Sequence, residues 1–280
     1  MWEQRYGIIV PKRTTTNIRY YHDDDLKLLL NVSLLNRNGY KISKIAKMTK
    51  SEISTKVADI SEVNLEYDTQ LDALTLSMIE MDEYKFDRII NTNIQQLGFE
   101  RTVLEVLHPF LDKLSILWLT GSINPVQENF ISYLIRQKII AAIDREPFAV
   151  GKSVRKFLIY LPEGEGQELS LLLLHYILKA RRHQVIYLGM NISLTDLRDA
   201  YKIHKPDFIF TMISETFDRQ PVKFYVDELS DTFKESQVLL SGYQVVAQDV
   251  KSSSNVTVHQ SLEDTINYID DLKTGAVSDS

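Results

Sequence analysis

The second half of the chain repeats one pattern, in which a short apolar run is followed by a longer segment with helical spacing. The first run, 156–161, is apolar almost without interruption, as expected for a strand that is buried on both faces. Three comparable runs and one shorter run follow, at 184–189, 208–213, 237–242 and 256–259. The intervening segments are predicted helices, at 167–182, 193–204, 221–236 and 262–272. Residues 154–274 are therefore predicted to form a Rossmann-like parallel sheet with flanking helices.

Residues 63–153 are predicted to be entirely helical. Apolar residues recur at helical spacing in four stretches, at 71–81, 85–97, 100–118 and 127–143. Four amphipathic helices with short connections predict a four-helix bundle. Pro109 and Pro125 are expected at or near helix starts or kinks. The last residues, 275–280, are predicted to be a disordered tail.

Residues 1–62 are predicted to form a small winged-helix domain. A helix over 2–6 ends at Gly7, an extended piece covers 8–11, a turn 14–17, and a strand 18–21. Two helices follow, at 23–38 and 42–58, the first of which opens with three aspartates. The fold class of the whole chain is thus multi-domain α and α/β, with a winged-helix head, a four-helix bundle and a Rossmann-like sheet.

Charge is distributed unevenly along the chain. Residues 1–60 carry 11 Lys+Arg against 6 Asp+Glu, and residues 61–280 carry 21 against 32, which together give the net charge of −6. A basic end on an acidic body suggests a polyanionic partner, although chance clustering of surface lysines would give the same counts. There is no cysteine, which fits a reducing cytoplasm, and no apolar run reaches the ~18 residues of a membrane span.

The opening stretch resembles the MerR family of winged-helix transcription regulators. The matching residues are Trp2-Glu3, Arg5-Tyr6-Gly7, Pro11, Arg13, Arg19, Tyr21 and Asp25-Leu26. The resemblance implies that the helix carrying Trp2 enters the major groove of DNA and that the wing arginines contact phosphates. The residues implied to contact DNA are Arg5, Tyr6, Arg13, Arg19 and Tyr20. The family has further residues ahead of this helix, and a chain without them is expected to bind DNA poorly.

The segment 161–170 lies between the first predicted strand and its helix, where α/β sheets place their binding loop. It is neither a dinucleotide fingerprint, since position 169 is Leu, nor a phosphate loop, since no Gly-Lys-Ser/Thr follows. Glu165 and Glu168 are interpreted either as part of a binding motif or as a solvated loop and helix start. His183, just before the second strand, is predicted to be a surface turn residue.

Residues 70–275 resemble the cobalamin-binding modules of methionine synthase and of the CarH/LitR-type light-responsive repressors, which join a MerR head to such a module. The family bundle has Trp, nine residues, then Glu-His; here Trp118 and Glu128 match, and Asn129 replaces the His. The family loop reads Asp/Glu-x-His-x-x-Gly, in which the His is the lower axial ligand of cobalt. Here the His is Gln167 and the Gly is Ser170. Candidate counterparts of the residues that hold the nucleotide tail are Thr211 or Ser214, and Gly242 beside Tyr243.

The replaced histidine leaves two interpretations of this module. An imidazole nitrogen donates readily to a transition metal, whereas an amide oxygen is a much poorer cobalt ligand. Either the module holds cobalamin in another ligation mode, or it has kept the fold without the cofactor and controls oligomerisation or senses another ligand. The favoured hypothesis is a non-enzymatic MerR-type regulator that binds a palindromic operator as a homodimer or higher homo-oligomer, without histidine-ligated cobalamin. The alternatives are a corrinoid carrier of a methyltransferase system and an adaptor that does not bind DNA. The six histidines show no metal-ligand spacing, and no nucleophile elbow or Cys-His pair indicates hydrolysis.

Overall fold

The computed structural model describes residues 8, 12–13, 19–20, 23–37, 39–63, 67–119, 123–151, 154–214, 222–251 and 254–274. The chain divides into two compact units, residues 1–135 and residues 136–280. The helix predicted at 2–6, the turn at 14–17 and the tail at 275–280 lie outside the described residues. None of the described helices is both long and apolar enough to span a bilayer.

The head contains the predicted wing as a two-stranded antiparallel hairpin, β1 (Lys12–Arg13) and β2 (Arg19–Tyr20). Three helices follow: α1 (Asp23–Arg37), α2 (Ile42–Ile45) and α3 (Lys50–Val63). The prediction of one continuous helix over 42–58 was wrong. The Thr49 hydroxyl accepts a hydrogen bond from the Glu52 amide at 3.2 Å, and the Glu52 carboxylate accepts from the Thr49 amide at 2.7 Å. This reciprocal capping box begins a new helix at that point.

Five helical segments complete the first unit and enter the second. They are α4 (Tyr67–Ile79), α5 (Glu83–Leu97), α6 (Phe99–Thr102), α7 (His108–Leu119) and α8 (Pro125–Arg145). The helix predicted over 100–118 is interrupted by a π-helical turn, Val103–Leu107, which joins α6 to α7. Pro109 is the second residue of α7, two positions after this turn, and lacks the backbone N–H that a regular α-turn would need. Pro125 opens α8, where a missing N–H costs nothing.

Helix α4 packs against both the head and the bundle. Leu76 is 2% exposed and belongs to the apolar cluster of the head, formed with Val32, Leu35, Ile45, Ile53 and Val57. Elsewhere on α4, Gln70 accepts a hydrogen bond from Asn93 of α5 at 3.0 Å, and Asp72 pairs with Lys113 of α7 at 2.8 Å. The head and the bundle therefore share one helix within a single compact unit.

The second unit is built on a five-stranded parallel sheet of order β4-β3-β5-β6-β7, as the fold class predicted. The strands are β3 (Lys156–Pro162), β4 (Gln184–Ile192), β5 (Phe208–Met212), β6 (Gln237–Ser241) and β7 (Val256–Val258). The helices are α9 (Glu168–Ala180), α10 (Leu194–His204), α11 (Val222–Thr232), α12 (Tyr243–Ala247) and α13 (Leu262–Thr274). The short helix α12 was not predicted. β3 lies inside the sheet, and all its residues after Lys156 are buried, which explains its uninterrupted apolar sequence.

Candidate functional sites

The carboxyl ends of the parallel strands form the edge at which an open α/β sheet binds ligands. Two of the connections at this edge are tight turns. Gly164, in the turn that follows β3, has φ +88°, and Gly242, which follows β6, has φ +111°. A Cβ added to Gly242 would lie 2.4 Å from the Ile213 carbonyl oxygen. A glycine is therefore required at position 242 to let the β5 and β6 ends approach each other.

Glu165 is the central polar residue of the loop after β3. It is 4% exposed, and its Oε1 accepts a hydrogen bond from the backbone N–H of Ser214 at 2.9 Å. This bond joins the loop after β3 to the end of β5. The interpretation of Glu165 as a solvated loop residue was therefore wrong, because a buried carboxyl group needs such a partner.

Gln167 and Ser170 begin the helix that follows this loop. Gln167 is half-buried and stands at the N-cap of α9, and its side chain makes no capping hydrogen bond. Its amide offers an oxygen acceptor and an NH₂ donor, and neither is a strong ligand for cobalt. The carboxyl group two residues earlier is bonded to the Ser214 backbone. These residues do not fit a histidine-ligated cobalamin.

Two tyrosine hydroxyls meet under the same edge. The hydroxyl oxygens of Tyr160, on β3, and Tyr225, on α11, are 2.8 Å apart. Burial raises the pKa of Tyr160 well above its usual value and that of Tyr225 to about 12. Both hydroxyls therefore stay protonated, and their hydrogen bond ties β3 to α11.

An ion pair at the start of α9 interacts electrostatically with Tyr187. Arg136 of α8 lies 2.5 Å from the Glu168 carboxylate. Tyr187 of β4 stacks on His175 of α9 with ring centroids 5.2 Å apart. Burial raises the pKa of Tyr187 to about 12, with a smaller contribution from Glu168, while burial, aided by Lys179, lowers the pKa of His175 to about 4. His175 is therefore neutral near pH 7.

The predicted site residues of the bundle are placed only in part. Glu128 and Asn129 lie in the first turns of α8, Glu128 half-buried and Asn129 exposed. Trp118 lies in the last turn of α7, and its side chain lies outside the described part of the chain.

Arg5 and Tyr6, which were predicted to contact DNA, are also outside the described residues. Among the predicted DNA-contacting residues, the structure describes the backbone of Arg13, Arg19 and Tyr20.

The wing register pairs two arginines. Arg13 lies directly opposite Arg19, and Lys12 lies opposite Tyr20. Like charges placed directly opposite each other in an antiparallel pair are destabilising unless something neutralises them. A phosphate backbone would supply that neutralisation.

Some contacts at the sheet were not anticipated from the sequence. Tyr160, Tyr225 and Arg136 belong to none of the motifs recognised in the sequence, and their partners lie far away along the chain. His183 was predicted to be exposed, but it is 4% exposed and its ring lies 5.2 Å from that of Phe157. For Glu165, the sequence feature that indicated a role was its position as the first residue of the loop motif, which reads Glu-x-Gln here.

Two family models match the chain. The model for MerR HTH family regulatory proteins matches residues 1–52, and the model for the B12 binding domain matches residues 70–142. The chain therefore joins a region similar to MerR HTH regulators to a region similar to the B12 binding domain, in that order.

Two known repressors of Myxococcus xanthus are similar over most of the chain. The HTH-type transcriptional repressor CarH is 27% identical over 214 residues, covering 74% of this chain and 71% of CarH. The HTH-type transcriptional repressor CarA is 24% identical over 211 residues, covering 74% of this chain and 68% of CarA.

Solved structures also resemble this chain over most of its length. The monomethylamine corrinoid protein of Methanosarcina barkeri is 11% identical, with a TM-score of 0.46 over 81% of this chain and all of that one. A cobalamin-binding protein from Desulfitobacterium hafniense DCB-2 is 12% identical, with a TM-score of 0.34 over 72% of this chain and 98% of that one. These scores are too low to compare sites.

Proposed function

We propose that this protein is a DNA-binding transcriptional regulator that binds a palindromic operator as a homodimer or higher homo-oligomer. The observation that carries the proposal is the arginine pair of the wing, Arg13 opposite Arg19, within the region that matches the MerR model. A symmetric dimer presents two wings and matches two half-sites. The similarity to two repressors supports a non-enzymatic role.

The DNA-binding part of the proposal is tested by salt dependence. Duplexes selected from a random-sequence pool would be titrated with the full chain at several salt concentrations. Arg13→Ala and Arg19→Ala should each reduce the slope of log affinity against log salt by about 1, because each removes a phosphate contact. Lys234→Ala, a change at an exposed lysine of the second unit, is the control and should leave the slope unchanged. Unchanged slopes for both arginine variants would contradict the assigned wing contacts.

We assign the second unit a regulatory role that does not use histidine-ligated cobalamin. In this proposal it controls assembly or senses a small-molecule or protein effector. The support is Gln167, which offers no strong metal donor at the start of α9. Loss of that donor also means that light sensing through a cobalt–carbon bond is not expected.

The second candidate is a sensor that binds cobalamin in another ligation mode. The match of residues 70–142 to the B12 binding domain favours it, because that region contains Trp118 and Glu128. Titration of the full chain with hydroxocobalamin and adenosylcobalamin, followed by visible absorbance and gel filtration, separates the two. No spectral change up to ~100 μM would limit the binding free energy to about −5.5 kcal/mol and favour the first candidate.

A substitution sharpens this test. Gln167→His should raise cobalamin affinity at least about tenfold, because an imidazole nitrogen replaces an amide at the candidate axial position. Gln167→Asn keeps the amide and is the matched control. If the histidine variant bound no better than the control, the missing donor would not be what limits binding.

A further inference from the structure

The loop that joins β3 to α9 is held by side-chain contacts from three separate elements. Glu165 accepts the N–H of Ser214 at the end of β5, at 2.9 Å. Glu168, at the first position of α9, pairs with Arg136 of α8 at 2.5 Å. The Gly164 N–H points to the side-chain oxygen of Asn191, at the end of β4, at a longer 3.5 Å.

Binding loops at the carboxyl edge of α/β sheets commonly leave polar groups for a ligand to complete. In this chain the loop carboxyl group with the deepest burial is turned inward. Glu165 is 4% exposed, whereas its neighbours Glu163 and Gly164 are exposed. Burying a carboxyl group is unfavourable unless hydrogen bonds satisfy it, and the Ser214 bond at 2.9 Å supplies one of them. The position of the loop and the burial of Glu165 are therefore coupled.

The position of Glu165 gives that coupling a functional meaning. It is the first residue of the Glu165-Gly166-Gln167 sequence, whose third residue is the candidate axial position. A carboxyl group bonded to the Ser214 backbone holds the loop after β3 and the end of β5 together. Tyr160 and Tyr225 add a second link between β3 and the helix after β5, at 2.8 Å.

We infer that Glu165 and Ser214 form an internal loop latch that replaces a bound cofactor in ordering the carboxyl edge. With this latch the second unit is assembled, and the regulator binds its operator, in the absence of any corrinoid. Glu165 is a positioning residue, which acts through the loop. The inference rests on the proposed function as a DNA-binding regulator.

Hydrogen–deuterium exchange of the full chain, together with operator binding, tests the latch. Glu165→Ala should speed exchange at the Ser214 amide and across 163–168 about tenfold or more, because the acceptor is removed. Its operator affinity should fall about tenfold if assembly of the edge controls DNA binding. Glu165→Gln keeps an acceptor oxygen and should show an intermediate effect. Glu163→Gln, in the same loop but exposed, is the matched control and should behave as wild type.

Several outcomes would overturn the latch. Wild-type protein that exchanges the Ser214 amide at an unprotected rate would show that the bond does not order the loop. Hydroxocobalamin that slows loop exchange, or tightens operator binding, about tenfold would show that a cofactor still completes the edge. Faster exchange with unchanged operator affinity would remove the link to DNA binding. If Glu165→Ala does not fold, the wild-type and Glu165→Gln exchange rates decide.

Failure of the proposed function gives a different result. Wild-type protein that binds no selected duplex would contradict the assignment as a regulator. Exchange at the Ser214 amide would still show whether the latch is formed. The two proposals therefore fail through separate readouts.

Discussion

The helical bundle and the sheet unit place their buried polar side chains in different positions. In the bundle they lie within the helix contacts, as Gln70 with Asn93 and Asp72 with Lys113. In the sheet unit the strand centres are largely apolar, and buried polar residues lie near the strand ends. Tyr160, Glu165 and Ser241 lie towards the carboxyl ends, and His183 and Ser236 lie just before the amino ends of β4 and β6. Strand register is set by backbone hydrogen bonds, whereas packed helices have none between them. Polar pairs therefore specify helix packing in the bundle, and the same kind of group orders loops in the sheet unit.

The largest difference between the two regions is expected for glycine substitutions. Gly242→Ala should destabilise the second unit by about 3 kcal/mol or more, because its Cβ would overlap the Ile213 carbonyl at a positive φ. Gly98→Ala in the bundle also has a positive φ, in a region that residues other than glycine rarely adopt, but no neighbour lies within 4 Å, so a smaller loss of about 2 kcal/mol is expected. Urea unfolding followed by circular dichroism measures both. Equal losses would show that the β5 and β6 ends do not need their close approach.

The ion pair between Asp72 and Lys113 tests whether the polar side chains of the bundle stabilise it as pairs. Asp72→Leu should cost about 2 kcal/mol, because it leaves the partly buried Lys113 without its carboxylate. Adding Lys113→Leu should recover most of that loss. Thermal unfolding of the two single variants and the double variant measures the coupling. A double variant as unstable as the sum of the singles would mean that the pair contributes nothing as a pair.

The tyrosine pair under the sheet edge should have a smaller effect. Tyr160→Phe removes the hydroxyl that meets Tyr225 at 2.8 Å and should cost about 1 kcal/mol. Tyr133→Phe, at an exposed position of α8, is the control and should be neutral. Urea unfolding of both variants gives the comparison. Indistinguishable midpoints would show that the buried hydroxyl pair has no net stabilising effect.

Acidification should destabilise the sheet unit by an amount no larger than the loss expected for the tyrosine pair. The native pKa of His175 is lowered to about 4 from a usual 6.5, so the unfolded chain binds the extra proton first as pH falls. The resulting loss of stability begins below pH 6.5 and is complete near pH 4, and solvent screening limits it to about 1 kcal/mol at pH 5. His175→Phe keeps an aromatic ring against Tyr187 and should weaken the pH dependence between pH 7 and 5. The free energy of unfolding is measured with urea at pH 7 and at pH 5. An equal difference between the two pH values in wild type and in His175→Phe would contradict burial of a neutral imidazole.

The sequence predicted most of the fold but not the contacts that order the sheet edge. The strands were recognisable because a parallel strand inside a sheet is apolar on both faces, as 156–161 is. The break between α2 and α3 was missed because the Thr49–Glu52 capping box lies within a pattern of continuous helical spacing. The burial of Glu165 could not be predicted from its neighbours, since its partner amide lies 49 residues further along the chain. Motif resemblance selected Gln167 and Gly242, but only the backbone shows why position 242 must be glycine.

Helix α4 sets the limit on how this regulator can be cut and rejoined. Because Leu76 completes the apolar cluster of the head, a fragment that ends at Val63 would expose that cluster to water. A fusion that transplants the head onto a different sensor would have to carry α4 with it, up to Ile79. The part that can be transferred is thus longer than the DNA-binding motif. A new sensor would have to pack against the face of α4 that carries Gln70 and Asp72.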